Sequence, residues 1–286
     1  FSGGDAMQCN SISTVFNGAL GVPVWLSGAI LTGFVVYVLL GGAQRIIRVS
    51  TYLVPLKVGA FFIFCSGVLI YHWASIIPAI FLIIKSAFSP KSVLGAACGI
   101  SVQQIFGLSL VRVLNASEAG LGTAAVIYGS TGSKNPMNEG IVAMLSVFIS
   151  TNLVCTMIAL SIVASGVWNS GATGSALTAL AFTSAFGVLG GWVVALLTVL
   201  FGIGVFVTHS FVARQCWLFL TNDRYETLFT ILFAGFAFWG STAAVAVVWD
   251  AIDLVVAGLL VLNTFGLLWL LPYVRGQVMP LLKKDA

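Results

Sequence analysis

The sequence predicts an all-α membrane protein, and two observations carry that prediction. Of the 286 residues, 59% are hydrophobic and only 7% are charged, and the mean hydropathy is +1.10. Soluble domains have about a quarter of their residues charged, so a water-soluble fold of this size is not expected from this composition. The apolar residues also fall in runs of about 18 or more, the length at which a helix crosses a bilayer core.

Two apolar runs of spanning length lie in the first part of the chain, at 22–40 and at about 51–71. A third segment, 76–88, is too short to span and is expected to lie along the membrane interface or to pack over the bundle. The chain opens at residues 1–16 with a polar stretch that has no charged leader region, and it does not begin with Met. This opening suggests that the sequence starts inside a longer polypeptide.

The rest of the chain carries further predicted helices. Residues 100–129 are expected to cross the membrane once with an interruption, and 175–186 to form a short helix. The remaining spans are expected at about 140–166, 188–220, 227–248 and 251–273. The total is about seven spanning segments in a single transmembrane domain, 1–286.

The basic residues predict the orientation of these spans. With one crossing at 100–129, one side of the membrane receives Arg45, Arg48, Lys134, Arg214, Arg224, Arg275, Lys283 and Lys284. Only Lys85 and Lys91 fall on the opposite side. The positive-inside rule places the larger group, and with it the C-terminus, in the cytoplasm of a multi-pass cell-membrane protein.

Several other classes of protein are not expected. The net charge is +4, and the basic residues cluster in a few short loops rather than on one face of the protein. Nucleic acid is therefore not an expected partner. The five cysteines are scattered and show neither metal-ligand spacing nor a disulfide framework. His72 and His209 are far apart and no Asp-rich motif is present, so neither an enzyme nor a cofactor or metal site is predicted.

The stretch "SLVRVLNASEAGLGTAAVIYG", residues 109–129, interrupts an apolar region with polar residues and glycines. It predicts a helix broken at membrane depth, which is tolerated only where the backbone is buried or lines a cavity. The broken ends then offer main-chain groups to a ligand. Alternatively, Gly120 and Gly122 allow close helix packing. Glu118 is expected to pair with Arg112, as a gating or structural pair, or to join an ordered polar network.

Several motifs resemble those of one transporter family. "RVLNASEAGLGTA", 112–124, resembles the R-G-V-F-S-N-E-A-G-L-G-S-A signature of the alanine or glycine:cation symporters, the sodium:alanine symporter family. The segments 8–11 ("QCNS"), 41–55 ("GGAQRIIRVSTYLVP") and 138–156 ("NEGIVAMLSVFISTNLVCT") resemble further family motifs in the same order. Asp253 and Asn263 stand ten positions apart, as do an Asp and an Asn of the family.

The resemblance implies the amino acid–polyamine–organocation superfamily fold, an inverted five-plus-five repeat with broken first and sixth helices around the substrate. In the family's count, this chain supplies the end of helix 3 through helix 10, and the N-terminal helices are missing. The implied function is import of a small neutral amino acid, alanine-like or glycine-like, coupled to a cation gradient. The alternative is a truncated, non-transporting membrane remnant or subunit. Neither the exact substrate nor the oligomeric state follows from the sequence.

The resemblance also implies site residues. The substrate-binding positions are Gln8, Asn10, Asn115, Ser117, Gly120, Gly122, Val205 and His209. Gly204 and Val205 stand where the family has a Ser-Thr pair beside the coupling sodium ion, so sodium coupling is weakened and a proton is the alternative. His209 is expected to carry that proton or simply to hydrogen-bond a neighbouring helix. Gln8 and Asn10 line the cavity or cap a helix end.

Overall fold

The computed structural model describes residues 3–87, 102–133, 135–172 and 174–282, and every regular element in these ranges is helical. The first half comprises α1 Gly3–Leu20, α2 Val24–Leu40, α3 Gly42–Tyr71, α4 Trp73–Ala87, α5 Val102–Ser117, α6 Thr123–Gly129 and α7 Pro136–Val147. A π-helical segment, Phe148–Val154, joins α7 to α8 Cys155–Ala164, and a 3₁₀ turn follows at Val167–Asn169. The last helices are α9 Gly174–Phe186, α10 Val188–Thr221, α11 Glu226–Thr242 and α12 Val245–Leu282. The all-α prediction is confirmed.

Helices long and apolar enough to cross a membrane are present among the described residues. The four that qualify by length and composition are Arg48–Tyr71, Pro136–Ala164, Val188–Thr221 and Val245–Gly276. Three shorter apolar helices, α2, α4 and α9, accompany them. The count of seven spans stays a prediction. Lys91, Cys98, Lys134, Lys283 and Lys284 lie outside the described residues.

Large apolar side chains cover the outside of the helices. Ile63 and Ile70 on α3 are largely exposed, and so are Leu262, Phe265 and Trp269 on α12. A soluble protein rarely exposes so many large apolar residues, whereas a lipid bilayer covers them. The surface therefore agrees with a membrane as the surrounding medium.

Three helix boundaries differ from the sequence-based prediction. Helix α3 begins at Gly42, so the region predicted as a loop before residue 51 is helical, and Pro55 lies inside the helix. Helix α11 ends at Thr242, because the backbone becomes extended at Ala243. Helix α12 therefore begins at Val245 rather than near 251, and Asp250 lies inside it.

The chain forms two compact units, one from Phe1–Ile100 and Val154–Ile252, the other from Ser101–Leu153 and Asp253–Ala286. In the first unit, α1 packs against α10, α11 and α2, while α3 packs against α10. Aromatic rings pack together in one core cluster of this unit, where the centroid of the Phe233 ring lies 6.0 Å from that of Phe206 and 5.4 Å from that of Phe229. The assignment of all 286 residues to one transmembrane domain stays a prediction.

The close approach of α1 to α11 depends on a glycine. A Cβ added at Gly240 would overlap the backbone of Ala6 on α1. Next to this contact, the Asn10 side-chain amide donates hydrogen bonds of 2.9 Å to the carbonyl oxygens of both Gly240 and Ala243. Asn10 is only 5% exposed, so α1 both packs on the end of α11 and caps its last carbonyls.

We expect Gly240→Ala to destabilise the protein, because the added methyl group meets backbone atoms that cannot move aside. Overpacking of this kind costs about 1–3 kcal/mol. The thermal unfolding midpoint of the purified whole protein in detergent measures the effect. Gly235→Ala is the matched control, because this glycine lies on the same helix and a Cβ there meets open space. Equal midpoints for the two variants would contradict the packing described here.

Candidate functional site

The second unit contains a helix interruption. Helix α5 ends at Ser117, and α6 begins at Thr123. The residues between them leave helical geometry through positive φ angles of 51° at Glu118, 80° at Gly120 and 87° at Gly122. Glycine adopts such angles without penalty, which explains both glycines of the motif. The segment 118–122 therefore connects two helices without being helical itself.

Local side chains support the interruption. The Ser117 hydroxyl accepts a hydrogen bond of 3.3 Å from the Ala119 N–H. The Thr123 hydroxyl donates one of 3.1 Å to the Glu118 carboxylate. Side-chain oxygens of this kind satisfy backbone and carboxylate groups that a continuous helix would not expose. Glu118 thus takes part in the local hydrogen bonding of the interruption, and its role as a partner of Arg112 or as a member of a polar network stays a prediction.

Asn263 of α12 binds the middle of the interruption. Its side-chain amide donates a 2.9 Å hydrogen bond to the Gly120 carbonyl oxygen. A Cβ added at Gly122 would lie only 3.0 Å from the Asn263 Oδ1 atom. The positive φ angle therefore requires a glycine at position 120. At position 122, both the positive φ angle and the closeness of Asn263 require one.

Asp253, on the same helix, binds the end of α5. Its carboxylate accepts two hydrogen bonds from the Arg112 guanidinium, at 3.4 and 3.5 Å, and one of 3.3 Å from the Asn115 amide. The ten positions from Asp253 to Asn263 correspond to about 15 Å along α12. Asp253 thus braces the end of α5, and Asn263 braces the non-helical segment 118–122.

We expect Asn263→Ala to lower the stability of the whole protein, because it removes the hydrogen bond to the Gly120 carbonyl oxygen. One such hydrogen bond is worth about 1 kcal/mol. The thermal unfolding midpoint of the purified whole protein in detergent measures the effect. Leu262→Ala is the control, since Leu262 is 73% exposed. A midpoint equal to that of the control would contradict the bracing role of Asn263.

The first unit holds the other predicted substrate residues. Gln8 faces α10, because a Cβ added at Gly202 would lie 3.4 Å from its Oε1 atom. The Asn10 side-chain amide donates its hydrogen bonds to the carbonyl oxygens of Gly240 and Ala243, and its role in substrate binding stays a prediction. Val205 and His209 are half-buried on α10.

The predicted ion position does not fit a sodium ion. Sodium is a hard cation that prefers oxygen ligands, and neither Gly204 nor Val205 carries one on its side chain. The Gly204 carbonyl accepts a 3.0 Å hydrogen bond from the Thr208 hydroxyl. A Cβ added at Gly204 would overlap the Nζ atom of Lys57, so an ammonium group lies against this glycine.

The two units therefore divide the predicted site residues. Arg112, Asn115, Ser117, Glu118, Gly120 and Gly122 lie in the second unit; Gln8, Asn10, Gly204, Val205 and His209 lie in the first. Sequence reasoning missed Lys57, although a lysine inside the apolar run 51–71 was a visible signal.

Long apolar helices, together with an interruption held by polar side chains, agree with a multi-pass membrane protein. The family model of the sodium:alanine symporter family matches residues 1–284, and the chain belongs to that family. This family consists of membrane transporters rather than enzymes.

Curated relatives agree with this assignment at low identity. The chain is 29% identical over 274 residues to the sodium/alanine symporter AgcS of Methanococcus maripaludis, covering 94% of this chain and 59% of the relative. It is 26% identical to the probable sodium/glutamine symporter GlnT of Bacillus subtilis, covering 92% and 55%. It is also 26% identical to the sodium/proton-dependent alanine carrier protein of Bacillus sp. strain PS3, covering 92% and 63%. The chain thus spans little more than half the length of these relatives.

Proposed function

We propose that the whole protein to which this chain belongs is a secondary active transporter. It imports a small neutral amino acid, of the alanine or glycine type, and couples this import to a cation gradient. The observation that carries the proposal is the non-helical segment 118–122 in a chain of this family, with its backbone held by Asn263. The names of relatives, an alanine carrier and a probable glutamine carrier among them, support the substrate class.

In this proposal, the interruption between α5 and α6 is the broken sixth helix of the family fold. Main-chain groups freed by the break bind the charged ends of a zwitterion, because no water is present at that depth to satisfy them. Asn115, Ser117, Gly120 and Gly122 contribute to this binding. The roles of Gln8, Asn10, Val205 and His209 rest on the family resemblance alone.

We propose the same arrangement in the membrane as the sequence predicts. The chain contributes about seven spans of a multi-pass cell-membrane protein. The larger group of basic residues, and the C-terminus with it, face the cytoplasm. Labelling of single cysteines introduced at Arg48 and Lys85 with a membrane-impermeant reagent tests this, because the two positions are expected to react from opposite sides.

Uptake by the reconstituted whole protein tests the function. Labelled alanine, glycine or glutamine is added outside the proteoliposomes, and an inwardly directed gradient of sodium ions or of protons is applied. We expect accumulation of at least one amino acid above its outside concentration, abolished when an ionophore collapses the gradient. Protein-free liposomes are the control. Uptake that never exceeds equilibration under any gradient would contradict the proposal.

A further inference from the structure

The side chain of Lys57 reaches the middle of a membrane-spanning helix. Lys57 belongs to the apolar span Arg48–Tyr71, at about 14 Å from its first residue and about 21 Å from its last. Its ammonium group lies against Gly204, whose added Cβ would overlap Nζ and approach Cε to 3.2 Å and Cδ to 3.3 Å. Gly204 is close to the midpoint of the 34-residue helix α10. The absence of a side chain at Gly204 is therefore what admits the lysine.

The surroundings of the ammonium group are mostly apolar. It lies 5.2 Å from the centroid of the Phe201 ring, in a cation–π geometry. The Phe61 ring lies 5.8 Å from the Phe201 ring between centroids, and both rings line a largely apolar cleft of about 210 Å³. Among the residues that the structure describes, Lys57 makes no hydrogen bond or ion pair. A cation held in this way does not serve to complete a structural salt bridge.

The position also rules out the ordinary explanation for a lysine in a membrane helix. A lysine near a helix end extends its apolar side chain so that the ammonium group reaches the aqueous interface. Here the ammonium remains beside Gly204, about 24 Å from either end of α10. A charge at that depth is costly, and such residues mark ion or substrate pathways.

We propose that the Lys57 ammonium is a built-in cation at the contact of α3 with α10, which takes the place of a coupling sodium ion there. This inference rests on the proposed carrier function. Like charges repel, so a sodium ion beside Gly204 is excluded while the ammonium is present. The lack of side-chain hydroxyls at Gly204 and Val205 agrees with this assignment, because no sodium ion remains there for such hydroxyls to bind. Uptake by the whole protein consequently does not require sodium.

Sodium-specific stabilisation tests this proposal without any substrate. The thermal unfolding midpoint of the purified whole protein is measured in NaCl and in KCl at equal ionic strength. Since a ligand that binds only the folded state raises its stability, a sodium site would raise the midpoint in NaCl. We expect the two midpoints to agree within about 1 °C, because no sodium ion binds the folded state beside Gly204. A sodium-specific rise with increasing concentration would overturn the proposal.

Lys57→Met provides the second arm, because methionine keeps the length of the side chain and removes its charge. We expect uptake to fall at least tenfold in either cation, with an unchanged elution profile in size-exclusion chromatography. Lys85→Met, an exposed lysine at the end of α4, is the matched control and is expected to keep the parental rate. Full uptake by Lys57→Met, or parental uptake that is stimulated tenfold by sodium over potassium, would overturn the proposal.

The two proposals fail in different ways. If the whole protein accumulates none of the three amino acids, the proposed function is contradicted, and the comparison of midpoints in NaCl and KCl still decides the role of Lys57. If uptake is present but depends on sodium, the proposed carrier function is supported, and the proposal that the Lys57 ammonium replaces a sodium ion is contradicted.

Discussion

Gly122→Ala is expected to lower the initial rate of amino acid uptake by the whole protein at least tenfold. Alanine in the left-handed conformation, which Gly122 adopts at a φ of 87°, costs about 1–2 kcal/mol. The new methyl carbon would also lie 3.0 Å from the Asn263 Oδ1 atom, closer than ordinary van der Waals contact. Either the segment 118–122 or Asn263 must therefore move. The segment carries proposed substrate-binding residues, and Asn263 keeps its backbone in position.

Gly107→Ala is the matched control for this prediction. Gly107 lies on α5 in the same unit, has no positive φ, and a Cβ there meets open space. We expect this variant to keep the parental uptake rate and the same amount of protein in the membrane. If Gly122→Ala transports as fast as Gly107→Ala, the left-handed turn has no part in transport.

Asp253→Ala is expected to reduce uptake at least tenfold as well. The substitution removes the carboxylate that accepts hydrogen bonds from both Arg112 and Asn115. Hydrogen bonds to charged groups contribute about 1.5–3 kcal/mol each, and about 1.4 kcal/mol corresponds to a factor of ten in rate. We expect the end of α5 to lose its fixed position before the interruption.

A charge exchange separates the ion pair from other roles of Asp253. The double variant Arg112→Asp/Asp253→Arg restores the opposite charges and is expected to recover part of the uptake lost in each single variant. Asp250→Ala serves as the control, since this exposed carboxylate lies three positions earlier on the same helix. An Asp253→Ala rate equal to that of Asp250→Ala would contradict the bracing role.

Local patterns explain why part of the fold was predictable. The apolar run at 188–220 became α10, Val188–Thr221, because its composition and length alone favour a membrane helix. The glycines of the 109–129 stretch indicated an interruption, since glycine tolerates positive φ angles that other residues avoid. The start of α12 was not predictable in this way, because the break at Ala243 involves a cap by Asn10, more than 200 residues earlier.

By itself, the sequence determined the helical class, the membrane as solvent, the place of the interruption and the family, because composition, period and short motifs are properties of neighbouring residues. Only the tertiary structure decided which side chains meet. Asp253 reaches Arg112 across a separation of 141 residues, and Lys57 reaches the surface of α10 at Gly204. Such partners depend on which helices pack together and in what register, and no pattern of neighbouring residues encodes that.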